Sequence, residues 1–144
     1  MASNRILMAS STQLHEHMKA GVAQLDGQHK LVGVTDGARL VNAMMRLLIA
    51  KQPPALVVVD VNLSRVSGQS AAVAIRALER ASEDKKTPIL LYGPDASDSE
   101  IKALCKGLGS AVHLKSRDEK GQADQAMRLI KAIERVLAKM GGRP

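Results

Sequence analysis

The chain has 144 residues, of which 45% are hydrophobic, enough for a single domain with a real core. Phe and Trp are absent and Tyr92 is the one aromatic residue, so that core has to be built from Val, Leu, Ile, Met and Ala. The single cysteine, Cys105, excludes an internal disulfide, no apolar run reaches membrane-spanning length, and no basic-then-apolar leader opens the chain; a cytoplasmic protein away from membranes is expected.

The formal net charge of +7 is unevenly spread. Residues 1–100 carry a net +1, and residues 101–144 carry a net +6. A basic bias of this kind is either a solvated surface or a docking face for an acidic partner.

In chain order, Arg5 to Ala9 is a short apolar run and predicts a strand. Leu14, Met18, Val22 and Leu25 then recur at helical spacing, with Gly27 as the stop. His29 to Thr35 predicts a second strand, and Asp36-Gly37 a turn. Leu40, Val41, Met44, Leu47 and Leu48 mark a helix that ends before Pro53-Pro54. Ala55 to Asp60 is the third strand; it lacks polar alternation, so both of its faces should be covered, as in a parallel sheet between helices.

A helix from about Gln69 to Ala81 follows, with Val73, Ile75 and Leu78 among its apolar positions, and the polar link SEDKK leads to a fourth strand over Pro88–Tyr92. Ser97 and Glu100 have capping-box spacing ahead of Ile101, Leu104, Cys105 and Leu108. Cys105 at a helical apolar position reads as a buried structural thiol. Ala111–Leu114 is the fifth strand, and Ser116 with Glu119 offers a second capping box. The last helix spans about Gln122 to Met140, turns Ala126, Leu129, Ile130, Ile133, Leu137 and Met140 inward, and stops at Gly141-Gly142.

Five strands alternating with five helices predict a doubly wound α/β domain over residues 1–144. Sites in such folds lie at the carboxyl ends of the strands, near the point where strand order reverses. Asp60 ends the third strand. Position alone does not separate a chemical role from a cap on the following turn.

The element order, the TDG at Thr35–Gly37, the segment VVVDVNLSRVSG ending at Gly68, and the LKS at Leu114–Ser116 resemble a bacterial response-regulator receiver domain. The resemblance covers essentially the whole chain. It implies a flavodoxin-like (βα)5 fold with a central five-stranded parallel sheet, here as a stand-alone receiver without a separate output domain. It also implies that Asp60 is the phosphoacceptor position, that Lys115 contacts the phosphoryl oxygens, and that Gly68 ends the loop after the third strand.

The departures from the family pattern matter as much. Ser10 and Ser11 stand at the positions of the acidic pair that holds magnesium. Gly93 stands where a Ser or Thr hydroxyl detects the phosphoryl group, Val112 where the switch aromatic is found, and Ser116 where a proline follows the lysine. Magnesium takes hard oxygen ligands, chiefly carboxylates and waters, and phosphoryl transfer depends on charge neutralisation. Two hydroxyls supply no charge, so Mg2+ binding is expected to be weak or absent and no cofactor or catalytic residue is assigned.

The expected function is therefore that of a pseudo-receiver in signal transduction, acting by protein–protein interaction without phosphorylation. The alternative is a working single-domain response regulator, phosphorylated on Asp60 by a histidine kinase. Receivers commonly signal or dimerise through the fourth helix, fifth strand and fifth helix, which here coincide with the +6 segment. Lys102, Lys106, Arg128, Lys131, Arg135 and Lys139 are the predicted partner-binding residues. The partner would be the acidic surface of a signalling or scaffold protein, with a homodimer through the same face as a second use.

Other function classes find less in the sequence. Stacking aromatics and recognition-helix motifs are missing, so specific nucleic-acid binding is not expected. His15, His17 and His29 could suggest a metal site, but His15 and His17 are two apart and diverge on a helix; they read as surface histidines. No G-x-G-x-x-G loop is present, and Ser10 and Ser11 lack a nucleophile elbow.

Overall fold

The computed structural model describes residues 4–25, 29–61, 63, 65–93, 98–115 and 121–141, without the side chains of Asp98, Lys115, Gln122, Met140 and Gly141. Five strands alternate with five helices: β1 (Arg5–Ala9), α1 (Thr12–Ala23), β2 (Lys30–Val34), α2 (Gly37–Ile49), β3 (Leu56–Asp60), α3 (Gly68–Ala81), β4 (Ile89–Gly93), α4 (Asp98–Leu108), β5 (Ala111–Lys115) and α5 (Gln122–Gly141). The strands form one parallel sheet in the order β2-β1-β3-β4-β5. This is the flavodoxin-like doubly wound arrangement, whose order reverses between β1 and β3.

The central strands are apolar on both faces because both are covered. Leu7, Ala9, Val57, Val59, Ile89 and Leu91 pack with Leu40, Met44, Ile75 and Ile101 of α2, α3 and α4. Their alternates, Ile6, Met8, Leu56, Val58, Leu90 and Tyr92, pack with Leu14, Met18, Leu129 and Ile133 of α1 and α5. Strand periodicity is intact, but with apolar residues on both sides it leaves no polar mark in the sequence.

Each early helix starts at a polar cap. The Ser11 side chain accepts from Leu14 N, Asp36 from Arg39 N, and Ser67 from Ser70 N. Asp36, read from sequence as part of a turn, is thus the N-cap of α2.

Several boundaries differ from expectation. Helix α1 ends at Ala23 with Gln24 as C-cap, ahead of Gly27, which lies outside the described residues. Strand β2 is shorter than His29–Thr35, and β4 runs on through Gly93. Helix α5 ends at Gly141, one residue past the expected Met140, and Gly142 lies outside the described residues. Val73 is 50% exposed, not inward. It lies about 200° round the helix from Ile75, and the inner face of α3 instead takes Ala71, Ala72, Ile75, Arg76 and Glu79. The capping positions Ser97, Ser116 and Glu119 lie outside the described residues.

Candidate functional site

The reversal of strand order places the ends of β1 and β3 side by side, and the site lies there. Asp60 ends β3 and is paired in register with Tyr92 of β4. On the other side Ala9 pairs with Val59, so Ser10 comes next to Asp60. Met8, Val58 and Leu90 all pack in the α1–α5 layer. Two residues further along each strand, Ser10, Asp60 and Tyr92 form one row on that same side of the sheet.

The row is held from behind. Ser10 N donates to Val34 O of β2, and Val61 N donates to Tyr92 O. Gly68 backs directly onto the Asp60 carbonyl, where a Cβ would collide with main chain, so this position needs glycine. The intervening loop is tied to α2 through Arg65, whose Nε lies 3.9 Å from Asp36 Oδ2. Arg65 itself takes the left-handed backbone, with φ of 67°.

Gly93 differs from expectation in kind. The missing hydroxyl is one aspect; the backbone is the other, with φ of 133°. A Cβ built there would stand 2.6 Å from Val61 Cγ2 and 3.2 Å from Asp60 Oδ1. The residue faces the Asp60 carboxylate, yet only glycine fits its conformation without strain.

Both serines at the acid-pair positions are engaged in local bonds. Ser10 is 1% exposed and its hydroxyl donates to Ser11 O at 3.3 Å. The Ser11 oxygen accepts from Leu14 N at 3.2 Å as the cap of α1. Tyr92 is buried, and burial pushes its phenol well above the usual range; the Asp60 charge adds to this and the nearby Ser10 hydroxyl opposes it. The Ser10 hydroxyl donates to Ser11 O and keeps its acceptor lone pairs toward the phenol, but Tyr92 Oη makes no well-formed hydrogen bond among the described residues.

Magnesium takes several hard oxygens, mostly carboxylates, and retains waters. The row together with the adjoining Ser11 offers one carboxylate, two hydroxyls bonded to the backbone, and a phenol. Among the described residues no group of three His, Cys, Asp or Glu could hold a metal. The donor set does not fit a hard dication.

Lys115 closes β5 with its Cα in register with Gly93, which brings its backbone to the same end of the sheet; its side chain lies outside the described set. Val112 is 50% exposed on edge strand β5. Lys102, Lys106, Lys131, Arg135 and Lys139 are exposed, whereas Arg128 is half-buried and already engaged.

Of the histidines, His17 is exposed, but His15 is a correction to the surface reading. It is 8% exposed and its ring lies against Gly33 of β2. The inner stripe of α1 is wide enough to include it beside Leu14, Met18 and Val22.

Sequence reasoning missed a buried ion pair as well. Arg76 Nη1 donates to Glu79 Oε1 at 2.6 Å, its other nitrogens reach the carbonyls of Leu108, Gly109 and Ser110, and Glu79 Oε2 accepts from Thr87 N. The signal was available: on α3 both charges fall on the face of Ala72 and Ile75.

The chain has the fold of response-regulator receiver domains. It is similar to the response regulator domain of Thermotoga maritima CheB, at 17% identity over 100% of both chains with a TM-score of 0.68. It is also similar to Vibrio cholerae chemotaxis protein CheY4, at 20% identity over 95% of this chain and 100% of that one, with a TM-score of 0.65. The receiver domain of the Arabidopsis thaliana histidine kinase CKI1, solved with Mg2+, gives a TM-score of 0.70 at 16% identity, over 92% of this chain and 90% of that one. No family model matches the sequence, and no curated protein matches it.

Proposed function

We propose that this chain is a pseudo-receiver: a receiver-type module in signal transduction that works by binding another protein, without phosphorylation. The observation that carries the reading is the state of Ser10 and Ser11. One hydroxyl bonds to a backbone carbonyl and the other caps α1, so the end of β1 supplies no charge beside Asp60. The glycine-only conformation at position 93 supports it further, since no side chain answers a phosphoryl group from there.

The partner surface would be the exposed cations of α4 and α5, facing an acidic protein or a second copy of the chain. Lys131, Arg135 and Lys139 recur at four-residue spacing on α5, and Lys102 and Lys106 do so on α4. Arg128 contributes less than the sequence suggests, being half-buried and already engaged.

Incubation with a small phosphodonor and Mg2+, followed by intact mass, tests the reading. Little or no addition at Asp60 is expected; rapid stoichiometric labelling would overturn it in favour of a working receiver addressed by a histidine kinase. Asp60 at the end of β3 is the feature that keeps that second reading in view.

A further inference from the structure

Tyr92 is the single aromatic residue of the chain, and it stands in the site. It is 2% exposed, in register with Asp60, and on the same face of the sheet as Asp60 and Ser10. A phenol is long enough to cross the strand spacing of about 4.8 Å toward the neighbouring strand. Its polar neighbours are the Asp60 carboxylate and the Ser10 hydroxyl. A buried tyrosine hydroxyl ordinarily finds a partner; this one has the Ser10 hydroxyl near it but no well-formed hydrogen bond to any described residue.

We infer that Tyr92 is a positioning residue that occludes Asp60: the ring occupies the space beside the carboxylate on the α1–α5 side, and the hydroxyl presents a neutral donor there in place of a hydrated divalent cation. The inference rests on the phosphorylation-independent reading and goes a step beyond it. Loss of the two carboxylates is then one of two obstacles. A hydrated Mg2+ needs volume as well as charge. The tyrosine ring takes that volume, so restoring the acids alone does not restore the site.

Mg2+ is the probe, titrated by calorimetry into the wild-type protein, S10D/S11D and S10D/S11D/Y92V, with circular dichroism to confirm that each is folded. Aspartate caps a helix as well as serine does, so the change at Ser11 keeps α1 intact. The expected result is that the triple variant binds Mg2+ roughly 10- to 100-fold more tightly than the double variant. Equal affinities in the two, including no binding in either, would overturn the inference. If the Val variant melts, Tyr92→Leu replaces it, with the same expected gain and the same overturning result. Tight binding by the wild-type protein would instead remove the pseudo-receiver reading, so the two failures are distinguishable.

Discussion

His15 carries the clearest pH consequence at the scale of a single residue. Burial lowers its pKa below the ordinary 6.5, with Lys19 adding to the effect, while a hydrogen bond to the Met8 backbone and the charge of Glu16 oppose it. The unfolded chain therefore binds more protons at this residue than the folded one. Stability from this residue is complete above about pH 6.5 and is lost as pH falls toward the lower folded value. Urea melts between pH 5 and pH 8 should show this slope, and His15→Gln should flatten it; an unchanged slope would assign it to other groups. Gly93 gives a second test. Gly93→Thr restores a hydroxyl beside Asp60 but forces a side chain into φ of 133°, and should cost about 1–3 kcal/mol in the urea midpoint. Cys105, expected to be buried, is only half-buried, and that burial raises its thiol pKa.

Among the elements, α3 is fastened at the amino ends of β4 and β5 by a buried ion pair. Arg76 is 5% exposed and Glu79 1% exposed, and between them they satisfy the carbonyls of Leu108 at the end of α4 and of Gly109 and Ser110 beyond it, and the Thr87 N–H before β4. Removing one partner strands the other charge. Arg76→Ala should therefore destabilise by about 3–5 kcal/mol, read by denaturant melts, with Glu79→Ala similar. A loss below about 1 kcal/mol in both would mean that water replaces the pair. The N-cap of α1 has a smaller expected effect: Ser11→Ala should cost about 1 kcal/mol. That loss would show how far the acid-pair position has been given over to holding a helix.

For the whole molecule, the exposed cations of α4 and α5 sit apart from Asp60. Asp60 lies at the carboxyl ends of the strands, whereas the cations lie on the outer faces of the helices. Association with an acidic partner should then depend on salt chiefly through its rate. Reversing Lys131 and Arg135 to Glu should slow association, measured by surface plasmon resonance at two salt concentrations, while phosphodonor and Asp60→Ala leave it unchanged. Persistence of wild-type kinetics in the reversed variant would place the interface elsewhere. No helix among the described residues is long and apolar enough to cross a membrane.

The sequence by itself determined the five strands and helices, and with them the sheet and the place of Asp60, because hydrophobic period and breakers are local properties of a chain. The end of α1, expected at Gly27, and the facing of Val73 within α3 were less legible, since caps decide the one and packing decides the other. Only the tertiary structure turned His15 inward against Gly33, set Arg76 against the carbonyls at the end of α4, and put Gly93 in a glycine-only conformation. It alone brought Tyr92 beside Asp60, because lateral register between strands far apart in sequence is fixed by how the two core layers close on the sheet.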